Sequence, residues 1–317
     1  MMLILFCGGV ALWVTARLGW LAAPRGWEEA TGWTRIPADQ QAAARTGVRE
    51  GEAPWIGWLG HAGFVVHWHG VTLLLDPNLG THCTVARRVM ERPVAGPALG
   101  PVHALISHAH YDHLHEDTLK SWPGLATIYV PAGSEVFLSR IDPAITRVVP
   151  VERGGAYRVG SLSITPVRAA HNGNRFHPLR SRYGAVGYMI TAPDGHTLYA
   201  AGDTAFDNGW AELKAAHRPD WAILPIGAYA PRIPLKHHHM NPEEAVAAAV
   251  ALGVRGVIPG HFGTFTLSFD RPASALPRFA RAAAGQGVAW SMPRLMDAAA
   301  WDELRGLLAD SVVGEGS

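Results

Sequence analysis

The run His108-Ala109-His110-Tyr111-Asp112-His113 sets three imidazoles and a carboxylate within six residues. It follows directly on the apolar stretch from Val102 to Ser107, which has the length and residue types of a buried strand. The stretch from Asp112 to Trp122 reads as a helix opened by Asp112, a good N-cap type. The four donors are therefore expected on the tight loop between a strand and a helix, where neighbouring side chains can converge on one point. Neutral imidazole is the commonest metal ligand, and imidazole with carboxylate suits zinc, iron or manganese better than calcium or magnesium. Four donors so crowded exceed what one ion usually takes from one loop. Two ions sharing it is the natural reading, His108 and His110 for one, Asp112 and His113 for the other. The bland alternative is a polar surface loop in a chain with 17 histidines among 317 residues.

Each ion then needs donors from elsewhere in the chain. Three further strand candidates end in small-residue turns that carry one donor each: Leu162–Val167 before His171, Thr197–Ala201 before Asp203, and Gly256–Pro259 before His261. Singly, a His or Asp after a strand is usually a turn or cap residue. Together with the dense loop they form a coherent set of seven, gathered at one edge of a layered sheet.

The remaining elements must hold that edge. Trp55–Leu59, Phe64–Trp68 and Val71–Leu75 read as short strands, the latter two joined as a hairpin around His69-Gly70. Further strands are expected at Thr127–Val130, Arg147–Val151, Tyr157–Val159, Tyr183–Thr191 and Trp221–Pro225. Helices are expected near 84–91, 113–121, 133–140, 207–216, 242–252 and 275–284. There is no internal repeat, and one domain with two sheets and helices outside is the most economical arrangement. Hydrophobic content of 48% supports a sizeable core. A net charge of +1, with no basic run, gives no pull toward nucleic acid. Two cysteines cannot make a disulfide framework, and Cys83 reads as a small apolar filler or, less simply, a metal ligand.

The N-terminal segment differs in kind. Met1 to Ala16 has no charged side chain, and Leu18 to Pro24 is again apolar around Arg17. With Arg17 snorkelling, residues 1–24 approach the ~20 apolar residues a spanning helix needs. An uncleaved membrane anchor is the reading, with a signal peptide or a buried helix as alternatives. Arg17, Arg25 and Arg35 lie on its C-terminal side and favour a cytoplasmic catalytic domain. Residues 25–53 read as a linker or covering segment, and 54–317 as the domain that carries the metal donors.

The metal loop with its distant His, Asp and His resembles the signature of the metallo-β-lactamase superfamily. Other stretches resemble, within it, the branch of N-acyl-phosphatidylethanolamine-hydrolysing phospholipase D and its bacterial relatives. They are Trp58-Leu59-Gly60-His61-Ala62, Leu75-Asp76-Pro77, Leu105 to Leu114, Ala201-Gly202-Asp203-Thr204, Leu224 to Arg232, His239 to Ala245, and His261-Phe262-Gly263-Thr264-Phe265. Residues 171–182 depart from the mammalian enzyme's pattern where the pocket would be lined.

The resemblance implies an α/β fold, a four-layered αββα sandwich with the metals at one edge, preceded here by the N-terminal apolar helix. It implies that His108, His110 and His171 hold one ion, that Asp112, His113 and His261 hold the other, and that Asp203 bridges them. The cofactors would be two Zn2+ ions, with Mn2+ or Fe2+ as alternatives. Two such ions share and activate one hydroxide, which attacks the substrate without a Ser or Cys nucleophile. Asp112, Asp203 and His239 are the implied catalytic residues. Asp112 would orient the nucleophile, and His239 would donate to substrate or leaving group or else stand behind the metals. Asp76 would anchor the metal loop from behind. His61, His67, His69, His115 and His177 read as ordinary residues, with His61 the nearest of them to the site.

The implied reaction is phosphodiester hydrolysis of N-acyl-phosphatidylethanolamine-type phospholipids at a bacterial inner membrane. The alternatives are lactonase-type or other ester hydrolysis, and a membrane-bound metal-binding scaffold. Diiron oxidoreductases of this fold usually carry Glu where His110 stands. Expected partners are a small-molecule or lipid substrate and the membrane, not nucleic acid.

Overall fold

The computed structural model describes residues 53–97, 100–175 and 184–313, with side chains to 305 except that of Pro272. The expected anchor (1–24) and nearly all of the expected linker (25–53) lie outside the described residues. Two strands show how the chain must be layered. Val71–Leu75 and Trp221–Pro225 are buried at every residue. A strand with no exposed position has another layer against each of its faces.

Six strands form the first sheet: β1 (Trp55–Gly60), β2 (Gly63–Trp68), β3 (Val71–Leu75), β6 (Val102–Leu105), β7 (Leu125–Pro131) and β8 (Arg147–Val151), in that order. β1, β2 and β3 pair antiparallel, and the pairs from β3 onward are parallel. Between β3 and β6 lies a small hairpin, β4 (His82–Cys83) with β5 (Ala86–Arg87). The second sheet contains β9 (Tyr157–Val159), β10 (Leu162–Arg168), β11 (Val186–Thr191), β12 (Thr197–Ala200), β13 (Trp221–Pro225) and β14 (Gly256–Gly260). Its order is β14-β13-β12-β11-β10-β9, parallel across β14, β13 and β12 and antiparallel beyond.

The period of two along each strand sorts side chains between the layers. Val65, Leu74, Ala104 and Ile128 point away from the second sheet, into a core shared with two helices. These are α1 (Glu116–Ser121), through Leu119, and α5 (Ala298–Val313), through Ala300, Trp301 and Leu304. Their alternating neighbours Phe64, Leu75 and Leu105 meet Tyr188, Ala200 and Ile223 between the sheets. There the Tyr188 hydroxyl donates to the Ile106 carbonyl at 2.7 Å, satisfying a phenol in an otherwise apolar layer. Gly260 lets the Phe64 ring pack closely at this seam, where a Cβ would lie 3.1 Å from it.

Three helices cover the second sheet's outer side: α2 (Trp210–His217), α3 (Pro242–Leu252) and α4 (Ala275–Gln286), with α3 against β13 and α2 and α4 beside it. α3 starts where the sequence says it should. Asn241 accepts from the Glu244 amide, Glu244 accepts from the Asn241 amide, and Pro242 occupies the first turn. The layers run helix, sheet, sheet, helix, the four-layered αββα arrangement.

Several expected elements differ. The stretch expected to be a helix at 84–91 is the β4–β5 hairpin and an extended segment. The Arg88 amide donates to Thr81 and that of Val89 to Thr264, so the donors a helix would use are taken by distant carbonyls. Asp112 is not a helix cap. α1 begins three residues later than the expected helix, and His115 caps it by accepting from Thr118. Residues 110–114 instead form a turn closed by the Leu114 amide on the His110 carbonyl. The stretch at 133–140 is a single 3-10 turn, Ser134–Phe137. The hairpin at His69-Gly70 is present, pairing Trp68 with Val71. The strand expected from Tyr183 starts at Val186 among the described residues. α5 had no counterpart among the expected helices.

Candidate metal centre

All the donor-bearing turns leave the same edge of the two sheets. β3 runs into Asp76, and β6 into the loop 107–113. β12 runs into Asp203, and β14 into His261. β10 leads to His171, and the β1–β2 turn carries His61 at the same level, because Phe64 pairs with Leu75. The backbone at this edge is strained: His61, Asp76 and His261 have φ of 53°, 40° and 57°. Such left-handed conformations are uncommon for residues with a side chain and concentrate at functional sites.

The side chains meet in overlapping groups. His108, His110, His171 and Asp203 form one, and His61, Asp112, His113 and His261 a second. Within each, the potential ligand atoms all lie within 4.8 Å of one another. Asp203 touches both groups. Its Oδ2 is 3.3 Å from His113 Nε2, 3.8 Å from His108 Nε2 and 3.9 Å from His171 Nε2, while Oδ1 is 3.1 Å from His261 Nε2. Asp112 Oδ2 is 3.4 Å from Nε2 of both His113 and His261. All seven residues singled out from the sequence are thus in one place. His239 stands beside them, its Nδ1 3.7 Å from Asp203 Oδ2.

The outward nitrogens of three rings are fixed by groups behind them. His113 Nδ1 donates to Asp76 Oδ2 at 2.7 Å, and His171 Nδ1 donates to the His238 carbonyl at 3.0 Å. Ser107 Oγ donates to Asp76 Oδ2 at 2.6 Å, which leaves it to accept from His108 Nδ1 at 2.9 Å. With Nδ1 donating outward in each ring, Nε2 is the nitrogen left facing inward for a metal. This is how metal-binding imidazoles are held. The Ser107 amide also donates to Asp76 Oδ1, so the carboxylate expected to anchor the metal loop contacts that loop three times.

The donors fit a metal. His113 Nε2, His261 Nε2 and Asp203 Oδ1 are fully buried without a hydrogen-bond partner. Buried polar atoms are rarely left so unless a ligand takes them. The electrostatics agree. Burial opposes the charge of Asp203, yet His261, His113 and His239 hold its carboxyl well below the usual range. Burial likewise opposes charge on His261, but Asp203 and Asp112 raise it to about 9. His113 is raised well above the ordinary value against the cost of burial by Asp203, Asp112 and Asp76. His171 is lowered by burial to about 4, although Asp203, 3.9 Å away, opposes the shift. Positive charge is favoured around His113 and His261, where the carboxylates gather.

Four features were not visible in the sequence. His61 is 2% exposed, with its Nε2 2.8 Å from Asp112 Oδ2, inside the second group and not merely near it. The signal available was a Gly-His-Ala turn between two apolar strands. The His238 carbonyl and the Ser107 hydroxyl orient ligands although neither residue was singled out. Arg175 donates to the Leu114 carbonyl and stacks 3.9 Å from the Tyr111 ring, so its side chain lies over the metal loop. Cys83 is buried in β4 as a free thiol and is in none of the donor groups.

Solved structures share this fold. A metallo hydrolase from the archaeon Ignicoccus hospitalis matches with a TM-score of 0.53 at 21% identity, covering 77% of this chain and 95% of that one. An isothiocyanate hydrolase from Delia radicum gut bacteria matches at 0.59 and 19% identity, over 76% and 95%. The fold is one that solved metallo hydrolases share. The model of the beta-lactamase superfamily domain matches residues 72–262. A UPF0173 metal-dependent hydrolase of Solibacter usitatus is 30% identical over 224 residues, 68% of this chain and 88% of that protein. One from Pyrobaculum arsenaticum is 33% identical over 223 residues, 68% and 88%. The chain belongs to the metallo-β-lactamase superfamily, in its UPF0173 family of metal-dependent hydrolases. An uncharacterized Mycobacterium tuberculosis protein is 32% identical over 250 residues, 75% of this chain; the match spans 66% of that protein's own length, just under two thirds.

Proposed function

We propose that this chain is a binuclear zinc phosphodiesterase that hydrolyses N-acyl-phosphatidylethanolamine-type phospholipids. The observation that carries the reading is the pair of buried donor groups meeting on Asp203. His108, His110 and His171 would hold one ion, and Asp112, His113 and His261 the other, with Asp203 between them. When bound, such a pair supplies Lewis acidity and a water made nucleophilic near neutral pH. The protein's own part is orientation. Asp76 and Ser107 fix the imidazoles, while Asp112 would orient the attacking water and His239 would donate to the departing oxygen.

Exposed apolar side chains in the loops near the donors in sequence support the lipid substrate. Tyr111 in the metal loop is 50% exposed, Ile233 ahead of His239 76%, and Phe269 after His261 56%. Such side chains suit contact with an acyl chain better than with a small polar ester. In this reading residues 1–24 hold the domain at the cytoplasmic face of a bacterial inner membrane. Among the described residues no helix is long and apolar enough to cross one.

The test is elemental analysis of the purified full chain, with a parallel assay of a chromogenic phosphodiester, N-acylated phosphatidylethanolamine and a lactone. Two zinc ions per chain and release of phosphatidic acid are expected. Lactone opening alone would reassign the substrate class. An absence of metal and of all turnover would leave a binding or scaffold role.

A further inference from the structure

We propose that His61 is a positioning residue that holds the Asp112 carboxylate in its working orientation, acting as a hydrogen-bond donor and not as an eighth metal ligand. The inference rests on reading Asp112 as a ligand of the second ion.

The placement of His61 is over-determined. Its turn enters the left-handed region at Gly60 (φ 83°) and stays there at His61 (φ 53°), where a side chain is uncommon. Both sheets lock the turn. The Trp58 indole donates to the His61 carbonyl at 3.1 Å, and the His261 amide donates to the same carbonyl at 2.9 Å. The His61 amide donates to Thr264 Oγ1 at 2.5 Å. Its ring lies 4.0 Å from that of His261 and edge-on to Phe265 at 5.5 Å. A ring held from this many sides has one direction in which to point, and Nε2 points at Asp112.

Proton placement separates a ligand from an orienting group. A carboxylate oxygen can only accept, so a nitrogen hydrogen-bonded to it must carry the proton. His113 and His261 are both 3.4 Å from Asp112 Oδ2, longer than a normal hydrogen bond, at nitrogens left unpartnered. His61 is 2.8 Å from the same oxygen, a hydrogen-bond distance. With Nε2 as donor, the ring has no lone pair facing the metal.

The arrangement mirrors the one behind His113. There a carboxylate, Asp76, grips a ligand imidazole at 2.7 Å; here an imidazole grips a ligand carboxylate. The backbone of the Asp112 turn has its own support, since Asn78 Nδ2 donates to the carbonyls of Tyr111 and Asp112. The Asp112 carboxylate has no such support. The ring nitrogens near its Oδ2 are those of His113 and His261 at 3.4 Å and His61 at 2.8 Å, and of these only His61 is at hydrogen-bond distance and outside the ligand set. Without His61 the carboxylate is free to turn away from the second ion.

The experiment measures both stepwise metal affinities of the full-length protein by chelator competition, with zinc and with cobalt, for the parent, His61→Asn and His61→Gln. Asn tolerates the left-handed backbone but is too short to reach Asp112, so folding and positioning are separated. The Gln amide nitrogen reaches the place of Nε2 and donates, yet is a poor ligand. Expected for His61→Asn is a loss of about 10–100-fold in affinity for the second ion, with the first unchanged. His61→Gln should recover most of it and show the parent's cobalt absorption spectrum. Parent affinity for both ions in His61→Asn would overturn the proposal alone. So would a Gln variant as weak as Asn with an altered cobalt spectrum, which would make His61 a ligand. Failure of the parent itself to bind two ions would overturn the reading of Asp112 and the proposal with it.

Discussion

Asp76→Asn tests whether the metal loop is held from behind as the structure indicates. The substitution preserves shape and removes the charge. At present Oδ1 accepts from the Ser107 amide at 2.7 Å, and Oδ2 accepts from Ser107 Oγ at 2.6 Å and His113 Nδ1 at 2.7 Å. An amide has one acceptor. If its oxygen faces the Ser107 amide, its NH2 meets two donors; if it is flipped, the NH2 meets the Ser107 amide. Either way a buried donor faces a donor, which costs about 1–3 kcal/mol, and the surviving bonds lose their charge assistance. The metal-free protein should therefore lose about 2–4 kcal/mol of stability, a large part of a typical margin. Affinity for the ion held by His113 should fall about 10–100-fold, because the ring loses its fixed tautomer. Denaturant unfolding of chelator-treated protein reads the first quantity, and chelator competition the second. Unchanged stability with unchanged affinity would refute the argument. Lost stability with unchanged affinity would confine Asp76 to the fold.

Asp203→Ala should abolish hydrolysis and lower metal content, since Asp203 touches both donor groups; normal turnover in that variant would sink the binuclear assignment. In metal-free protein, His261 is held at about 9 against an ordinary 6.5. A raised value contributes stability that is fully present below 6.5 and lost as pH rises through 9. The lowered histidines, such as His171, add stability as pH rises through 6.5, so the melting temperature of chelator-treated protein should fall only from about pH 7.5 to 9, and a flat or rising profile there would contradict it. Metal binding at pH 7.5 should release protons from His113 and His261, visible as buffer-dependent heats in calorimetry. Burial pushes the Cys83 thiol well above its usual value. In a Cys7→Ser background, iodoacetamide at pH 8 should therefore label the chain only after denaturant is added, and prompt labelling of native protein would be the contrary result.

The sequence by itself determined the features whose signals are local. Four donors in six residues define a metal loop whatever surrounds it. A Ser, Asp or Asn before an apolar period marks a helix start, as Asn241 and Glu244 do for α3. Strands such as β3 and β13, buried on both faces, read as continuous apolar runs and so announce a layered sandwich. The strand-then-turn pattern at His171, Asp203 and His261 was legible for the same reason, because strands of one sheet deliver their turns to a common edge.

Tertiary structure decided whatever depends on a partner far away in the chain. The stretch at 84–91 has a pattern a helix could use, yet its backbone donors go to Thr81 and Thr264. Asp112 has the residue type of a helix cap, but its carboxylate faces the metal centre and His115 caps in its place. His61 is 51 residues from Asp112 and looks like any histidine in a hairpin turn. Only the pairing of β2 with β3 and of β3 with β6 brings its Nε2 to the carboxylate. Periodicity and spacing report on a side chain's neighbours along the chain, whereas the state and direction of a buried polar group depend on its neighbours in space.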